Sequence, residues 1–312
     1  MNPDYITEAV DNRLIVDLLF FDYSKAFDRV SHPILLRKLV DIGITDPLLS
    51  WIECFLRERT MQVRISGKLS SSVAVSSGVP QGSVLGPILF LVYVNYVAAS
   101  LTCEYKLFAD DIKIYVCFSR EDNYNGEQRV QSNINALVHS GKAWGLEMNV
   151  SKCVCMRFTP RNSPLCYSGR SPYKIDHATI DFVQSYSDLG VTVDRTLKFH
   201  SHIKRVVNIA NALTNNILGS TLCRDKEFIL NVYLYHVRPQ LEYGSALWCT
   251  GYRGDLKLLE RVQRRWTKSV VGLEDLPYNA RLESLNLFSL AGRILRNDMI
   301  TIWKILNKKN CY

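Results

Sequence analysis

Apolar runs and alternating stretches divide the chain into a strand-bearing first part and a helical second part. Residues 14–21 form a short run of bulky apolar side chains, the pattern of a buried strand, and Asp22 stands at its carboxyl end. Helical spacing follows over residues 34–42 and 47–57, the second opened by Thr45 or Asp46 as its cap. Residues 61–65 alternate as a half-exposed strand, and a glycine-containing turn leads into a second strand over 72–75. The stretch 76–87 is rich in Gly, Pro and Ser and excludes a regular element, whereas 87–99 predicts a buried helix.

Beyond that helix, Tyr105-Lys106-Leu107 and Ile112-Lys113-Ile114-Tyr115-Val116 read as two strands joined at Phe108-Ala109-Asp110-Asp111. Residues 127–144 predict an amphipathic helix, with Val130, Ile134, Leu137 and Val138 near helical spacing. Strands are expected over 153–158 and around 189–193, separated by a Pro/Ser/Gly-rich loop over 159–172. After residue 197 the texture becomes helical, over 203–218, 227–237, 255–271 and 287–306, with Lys and Arg recurring on the polar faces. This places a mixed sheet-and-helix domain over 1–195 and a helical domain over 196–312.

The composition is globular, with 47% hydrophobic and 22% charged residues in a chain of 312. The net charge of +8 raises the expectation of an anionic partner, of which a nucleic-acid backbone is the commonest. Nine cysteines are scattered without a C-x-x-C pair, which argues against a disulfide framework or zinc module and for a reducing compartment. Cys153 and Cys155 alternate as buried thiols on one strand face, and His200-Ser201-His202 reads as a helix entrance. No basic segment followed by an apolar core opens the chain, and the most apolar run is short and contains Asn95. The expectation is a soluble intracellular protein, nuclear or cytoplasmic, without a membrane partner.

The candidate chemistry centres on Asp110 and Asp111. Two carboxylates at about 4 Å repel by roughly 4 kcal/mol at an effective dielectric near 20, so a cation is expected between them. A solvated hairpin tip is the alternative reading of the pair taken alone. If the strand ending at Asp22 neighbours this hairpin, three carboxylates converge on one sheet edge. That arrangement suits two magnesium ions bridged by phosphate oxygens. The glycine-rich stretch from Ser76 to Pro87 adds Gly78, Gly82 and Gly86 for close backbone approach, Pro80 for stiffness and Gln81 as an amide donor and acceptor. It leads into a helix N-terminus, but it is neither a P-loop nor a dinucleotide fingerprint.

These residues carry a resemblance. Phe21-Asp22-Tyr23-Ser24-Lys25-Ala26-Phe27-Asp28-Arg29-Val30-Ser31-His32 resembles motif A of reverse transcriptases from non-LTR (LINE-type) retrotransposons. The stretch Ser77-Gly-Val-Pro-Gln-Gly-Ser-Val-Leu-Gly-Pro87 is similar to motif B, and Phe108-Ala109-Asp110-Asp111 to motif C. They stand in the family's order. The resemblance continues through Trp144-Gly145-Leu146-Glu147-Met148-Asn149-Val150-Ser151-Lys152 (motif D) and Asp188-Leu189-Gly190-Val191 (motif E). It then runs on into the helical tail.

The resemblance implies an α+β fold, a right-hand polymerase palm of antiparallel sheet backed by helices, followed by a helical thumb. It implies an RNA-directed DNA polymerase that joins a dNTP to a primer 3′-hydroxyl on an RNA template. Asp22, Asp110 and Asp111 would be the metal ligands, for two Mg2+ ions with Mn2+ as the alternative. Phe27 would exclude a ribonucleotide's 2′-hydroxyl, Gln81, Gly82 and Tyr23 would contact the nucleotide, and Lys152 would stand near the triphosphate. Gly190 would touch the primer backbone, and Arg261, Arg264, Arg265 and Lys268 would track the template–primer duplex. Only 21 residues precede Asp22, fewer than the basic template-covering region that the family carries there. The rival expectation is therefore a retroelement relic that binds nucleic acid without catalysis. An Asp-cluster phosphohydrolase is a third, which leaves the Gln81 loop and the basic helices without a task.

Overall fold

The computed structural model describes residues 3–160, 170–249 and 251–307. The chain divides into two compact units, Met1–Gln184 and Ser185–Tyr312.

The first unit opens with helix α1 (Pro3–Asp11) and strand β1 (Ile15–Phe21), whose seven residues are all buried. Helices α2 (His32–Asp41) and α3 (Leu48–Leu56) follow, then four two-residue strands. These are β2 (Thr60–Met61), β3 (Arg64–Ile65), β4 (Lys68–Leu69) and β5 (Val73–Ala74), pairing as β2–β5 and β3–β4 in an exposed ribbon. Helix α4 (Leu85–Val94), the hairpin β6 (Glu104–Phe108) and β7 (Asp111–Phe118), helix α5 (Asn123–Ala143) and β8 (Val154–Phe158) complete the core elements. Strands β9 (Arg170–Ile175) and β10 (Ala178–Phe182) close the unit. The six-stranded sheet has the order β6-β7-β1-β8-β10-β9, antiparallel except where β8 meets β10.

Strand β1 is buried throughout because it is central, with β7 on one side and β8 on the other. Edge strand β6 instead alternates exposed and half-buried residues. One core joins Leu19 and Phe21 of β1, Ile112 and Ile114 of β7, and Val130, Ile134 and Leu137 of α5 to Leu35, Leu39, Phe90 and Tyr93 of α2 and α4. The helix expected over 87–99 ends at Val94 and is buried on one face only, with Ile88 and Leu91 more than half exposed. The loop expected over 159–172 lies partly outside the described residues, and its end belongs to β9.

A buried polar cluster crosses the sheet. Arg157 on β8 grips Asp17 on β1 through Nε–Oδ1 and Nη2–Oδ2 hydrogen bonds, both 2.6 Å. Tyr173 on β9 donates its hydroxyl to Asp17, and Glu127 on α5 accepts from Arg157 at 3.2 Å. Burial pushes the Asp17 carboxyl up against the pull of Arg157. Burial also works against the Arg157 charge, and the Asp17 carboxylate more than restores it.

The second unit begins with a hairpin, β11 (Ser185–Asp188) and β12 (Val191–Asp194). The single strand expected around 189–193 is thus two strands. Leu189 (φ 45°) and Gly190 (φ 81°) form the turn between them, a left-handed pair that matches the twist of the flanking strands. Helix α6 (His200–Ser220) starts at the expected entrance, followed by α7 (Lys226–Val232), a π-helical turn at Tyr233–Val237 and the short α8 (Arg238–Glu242) and α9 (Ser245–Trp248). Helices α10 (Arg253–Lys268), α11 (Tyr278–Leu285) and α12 (Leu290–Leu306) follow. No helix among the described residues is long and apolar enough to cross a membrane. Among the described residues the cysteines are free thiols, and Cys153 and Cys155 are buried, with burial pushing the Cys153 thiol up to about 11.

Candidate active site

Strand register brings the ends of motif A and motif C to one edge of the sheet. In the β1–β7 ladder Phe21 lies opposite Ile112, and this last pair stands one residue from Asp22 and one from Asp111. The hairpin closes with Phe108 opposite Asp111, leaving Ala109 and Asp110 at its tip. Ala109 adopts a left-handed conformation (φ 53°), which a residue with a Cβ rarely takes. Asp110 and Asp111 are both half-buried.

Asp22 is held from its other side by the segment after α5. The Asn149 amide donates to the Asp22 carbonyl (2.8 Å), the Ser24 amide to the Glu147 carbonyl (2.8 Å), and Tyr23 bridges to Met148. A single turn of 3-10 helix at Val150–Lys152 then carries Lys152 back, with its Nζ 3.1 Å from Asp22 Oδ2. That oxygen is buried and has no hydrogen-bond partner, so the ammonium meets it as an ion-pair neighbour without hydrogen-bond alignment. Tyr23 is buried. Among the described residues, no three His, Cys, Asp or Glu side chains stand close enough together to hold a metal ion as they are.

Phe27 sits in a turn of 3-10 helix at Ala26–Arg29, its ring stacked on Phe90 of α4 at 4.1 Å and 14°. The glycine-rich loop is knitted to this turn. The Gly78 and Val79 amides donate to the carbonyls of Val30 (2.8 Å) and Phe27 (2.9 Å), and Ser77 Oγ donates to the Asp28 carbonyl at 2.8 Å. A Cβ on Gly78 would lie 2.8 Å from the Asp28 backbone, and its φ of 83° is left-handed, so only glycine fits. Gln81 Nε2 donates to Asp28 Oδ1 at 3.1 Å, which brings Gln81 beside the Phe27 turn, while Gly82 (φ 83°) has open space around it.

Sequence reasoning missed two supports of the loop. Arg59 Nη2 donates to the Gly78 carbonyl at 2.7 Å, and His32 Nε2 lies 2.9 Å from the same oxygen. His32 stands inside motif A, but its partner is 46 residues away. No periodicity marks such a pair.

In the second unit, the Gly190 carbonyl accepts from Arg205 and the Leu189 carbonyl from Tyr243 (3.1 Å). Helix α10 buries Leu259, Val262 and Trp266, leaving Arg253, Lys257, Arg261, Arg264, Arg265 and Lys268 on its exposed face. The Arg264 guanidinium stacks 4.0 Å from the Tyr278 ring centroid. Ser185–Tyr312 holds 19 Lys and Arg against 11 Asp and Glu, whereas residues 1–184 hold 19 of each, so the whole +8 belongs to the second unit.

The model of the reverse transcriptase (RNA-dependent DNA polymerase) family matches residues 9–201, well over half of the chain. The chain belongs to that family. This reverse transcriptase chain is 26% identical over 281 residues to the RNA-directed DNA polymerase from mobile element jockey of Drosophila melanogaster, covering 86% of this chain and 30% of the relative. It is also 26% identical over 280 residues to the retrovirus-related Pol polyprotein from type-1 retrotransposable element R2 of Popillia japonica, covering 82% and 43%. The chain thus spans about a third of the length of the first of these curated relatives. Among solved structures, a telomerase from Candida tropicalis in complex with a fragment of telomeric RNA is similar at 12% identity. That match covers 91% of this chain and 51% of the other, with a TM-score of 0.45. The α+β class expected from the motifs agrees with the sheet backed by helices, and divalent-metal use is general in the family.

Proposed function

We propose that this chain is the catalytic region of an RNA-directed DNA polymerase that joins a dNTP to a primer 3′-hydroxyl on an RNA template. The observation that carries the reading is the β1–β7 register in a chain of this family, whose last pair, Phe21 opposite Ile112, stands one residue from Asp22 and one from Asp111. The buried Oδ2 of Asp22 has no hydrogen-bond partner and meets only the Lys152 ammonium, so its unused lone pairs fit a hard cation. Asp22, Asp110 and Asp111 would hold Mg2+, which when bound activates the attacking hydroxyl and neutralises charge on the leaving oxygen.

The protein's own part is to position and to exclude. The Asp22 backbone is fixed by the adjoining Phe21–Ile112 pair of the β1–β7 ladder and by the Asn149 amide, so the residue is in place before substrate arrives. Phe27, braced by Phe90, presents a rigid ring where a small side chain would leave room for a 2′-hydroxyl. Gln81 and Gly82 would line the nucleotide site together with the backbone at Tyr23. Lys152, whose side chain is 63% exposed, swings between Asp22 and a triphosphate and donates a proton toward the leaving pyrophosphate. The basic face of α10 and the Gly190 turn would contact template and primer, mostly through phosphates.

A second reading, nucleic-acid binding without catalysis, is favoured by the absence of a gathered three-ligand cluster among the described residues. Primer extension on an RNA template with Mg2+ separates the two, with Asp110→Asn as control. Incorporation by the native chain that the variant loses supports the polymerase. Tight primer–template binding with no incorporation of any dNTP overturns it and leaves the binding protein.

A further inference from the structure

Lys38 of α2 is buried, with 5% of its surface exposed, and Asp41, three residues on, acts on its charge only weakly against that burial. Its ammonium is enclosed by aromatic rings. Nζ lies 3.1 Å from the Trp144 ring centroid, 4.9 Å from that of Tyr96 and 5.5 Å from that of Tyr93. It donates one hydrogen bond, to the Tyr93 carbonyl. Burial lowers its pKa to about 8, which keeps it protonated at neutral pH.

An apolar side chain of the same length would fill this space without the cost of burying a charge. What the charge adds is directional: a desolvated cation binds the face of tryptophan better than any other ring. The box also has a second tie to the same place, because the Tyr93 hydroxyl donates to the Trp144 carbonyl while accepting from the Ser31 amide. Two separate elements, α2 and α4, are thus pinned on Trp144 at the end of α5.

Trp144 is the last fixed point before the segment that reaches the candidate site. From it the chain turns at Gly145 and buries Leu146, then makes the Ser24–Glu147 and Asn149–Asp22 backbone bonds before delivering Lys152 to Asp22. We propose that Lys38 is a positioning residue, whose aromatic box anchors residues 144–152 and thereby sets Lys152 and the Asp22 backbone in register. The inference rests on the reading of Asp22 and Lys152 as site residues, but the anchoring itself is measurable without catalysis.

Lys38→Met keeps the stem and removes the charge, and Lys38→Arg keeps a cation over the rings. In the full chain, hydrogen exchange should quicken by about ten-fold or more at the Ser24 and Asn149 amides in Lys38→Met, with β1 interior amides unchanged. Lys38→Arg should stay close to wild type. Should Lys38→Met not fold, Trp144→Phe is expected to raise exchange at the same two amides to a smaller degree. Unchanged exchange at Ser24 and Asn149, or a rise shared equally by β1, overturns the proposal. In primer extension Lys38→Met should lower kcat with KM for dNTP unchanged. A wild-type chain without activity would sink the polymerase reading and leave the exchange result to decide the role of Lys38.

Discussion

Lys152 Nζ lies 3.1 Å from Asp22 Oδ2, and with the Arg29–Glu147 ion pair it joins motif D to motif A through charged side chains. The two residues are delivered by different routes, Asp22 by the end of β1 and Lys152 by a 3-10 turn after a segment bonded to Asp22 and Ser24. Asp22→Asn should reduce single-turnover primer extension by at least ~10²-fold, through loss of the carboxylate that holds charge at the reacting centre. Lys152→Met should cost less, on the order of 10-fold to 10²-fold in the chemical step, with primer–template affinity unchanged. Equal losses from the two variants would contradict the separate roles assigned to them.

The grip of Arg157 on Asp17 sits five residues upstream of Asp22 on the same strand and secures β1 against β8. Arg157→Met alone leaves a buried carboxyl without its counter-ion and should destabilise the chain by about 3–5 kcal/mol. The pair Asp17→Leu with Arg157→Met removes both charges and should recover most of that loss. Urea melts of the three variants give the coupling directly.

How much of this was legible beforehand depended on whether the signal was local. The β1 run and the Asp110–Asp111 hairpin showed themselves through apolar stretches ending in acids. The Gln81 loop did so through glycines that only close backbone approach requires, as Gly78 over Asp28 demonstrates. Strand β9 escaped because Arg170–Ile175 opens inside the Pro/Ser/Gly-rich stretch and contains Pro172, which argues against a strand except at a sheet edge, although Tyr173 and Ile175 are buried there. Helix α11, only eight residues long, lacks the extended apolar stripe that marks its neighbour α10. The partners of Asp17 and of Lys38 lie far along the chain, 140 residues away for Arg157 and 55 for Tyr93. Only the folded sheet brings them together.

On the proposed function, the stack of Phe27 on Phe90 fixes the ring that would discriminate between sugars. Phe27→Val should raise the use of rNTP relative to dNTP by on the order of 10-fold to 10²-fold, since the selectivity lies in steric exclusion of one hydroxyl. Because the two substrates are compared on one enzyme, partial unfolding cancels from the ratio. An unchanged ratio would remove Phe27 from the nucleotide site.

His202 is buried on α6, accepts a hydrogen bond from the Thr192 amide through Nδ1 (3.1 Å) and packs against Trp248. Burial, with Arg205 nearby, lowers its pKa to about 4. Below pH 6.5 the unfolded chain takes up a proton that the folded one refuses, so stability is full above 6.5 and declines as pH falls toward 4. The loss at pH 4 should approach about 2–3 kcal/mol, and His202→Gln should flatten it. Thermal melts of the native chain and the variant at pH 7 and pH 5 check the sign.

Helix α10 sets Arg253, Lys257, Arg261 and Arg265 at four-residue intervals along one face, with Arg264 and Lys268 beside them. Like charges so spaced destabilise a helix by a few tenths of a kcal/mol per pair, so helix stability alone does not favour the stripe. A polyanion does, since each cation that meets a phosphate releases condensed counterions and steepens the salt dependence of binding. Replacing Arg261 and Arg265 by Gln should weaken binding to any sequence alike and lower the slope of log K against log salt by roughly 1.5–2. Arg264 is the exception on this face, because its guanidinium already stacks on Tyr278; removing it should cost stability as well as affinity. A salt slope unmoved by the Arg261 and Arg265 changes would place the nucleic-acid contact on another surface of the second unit.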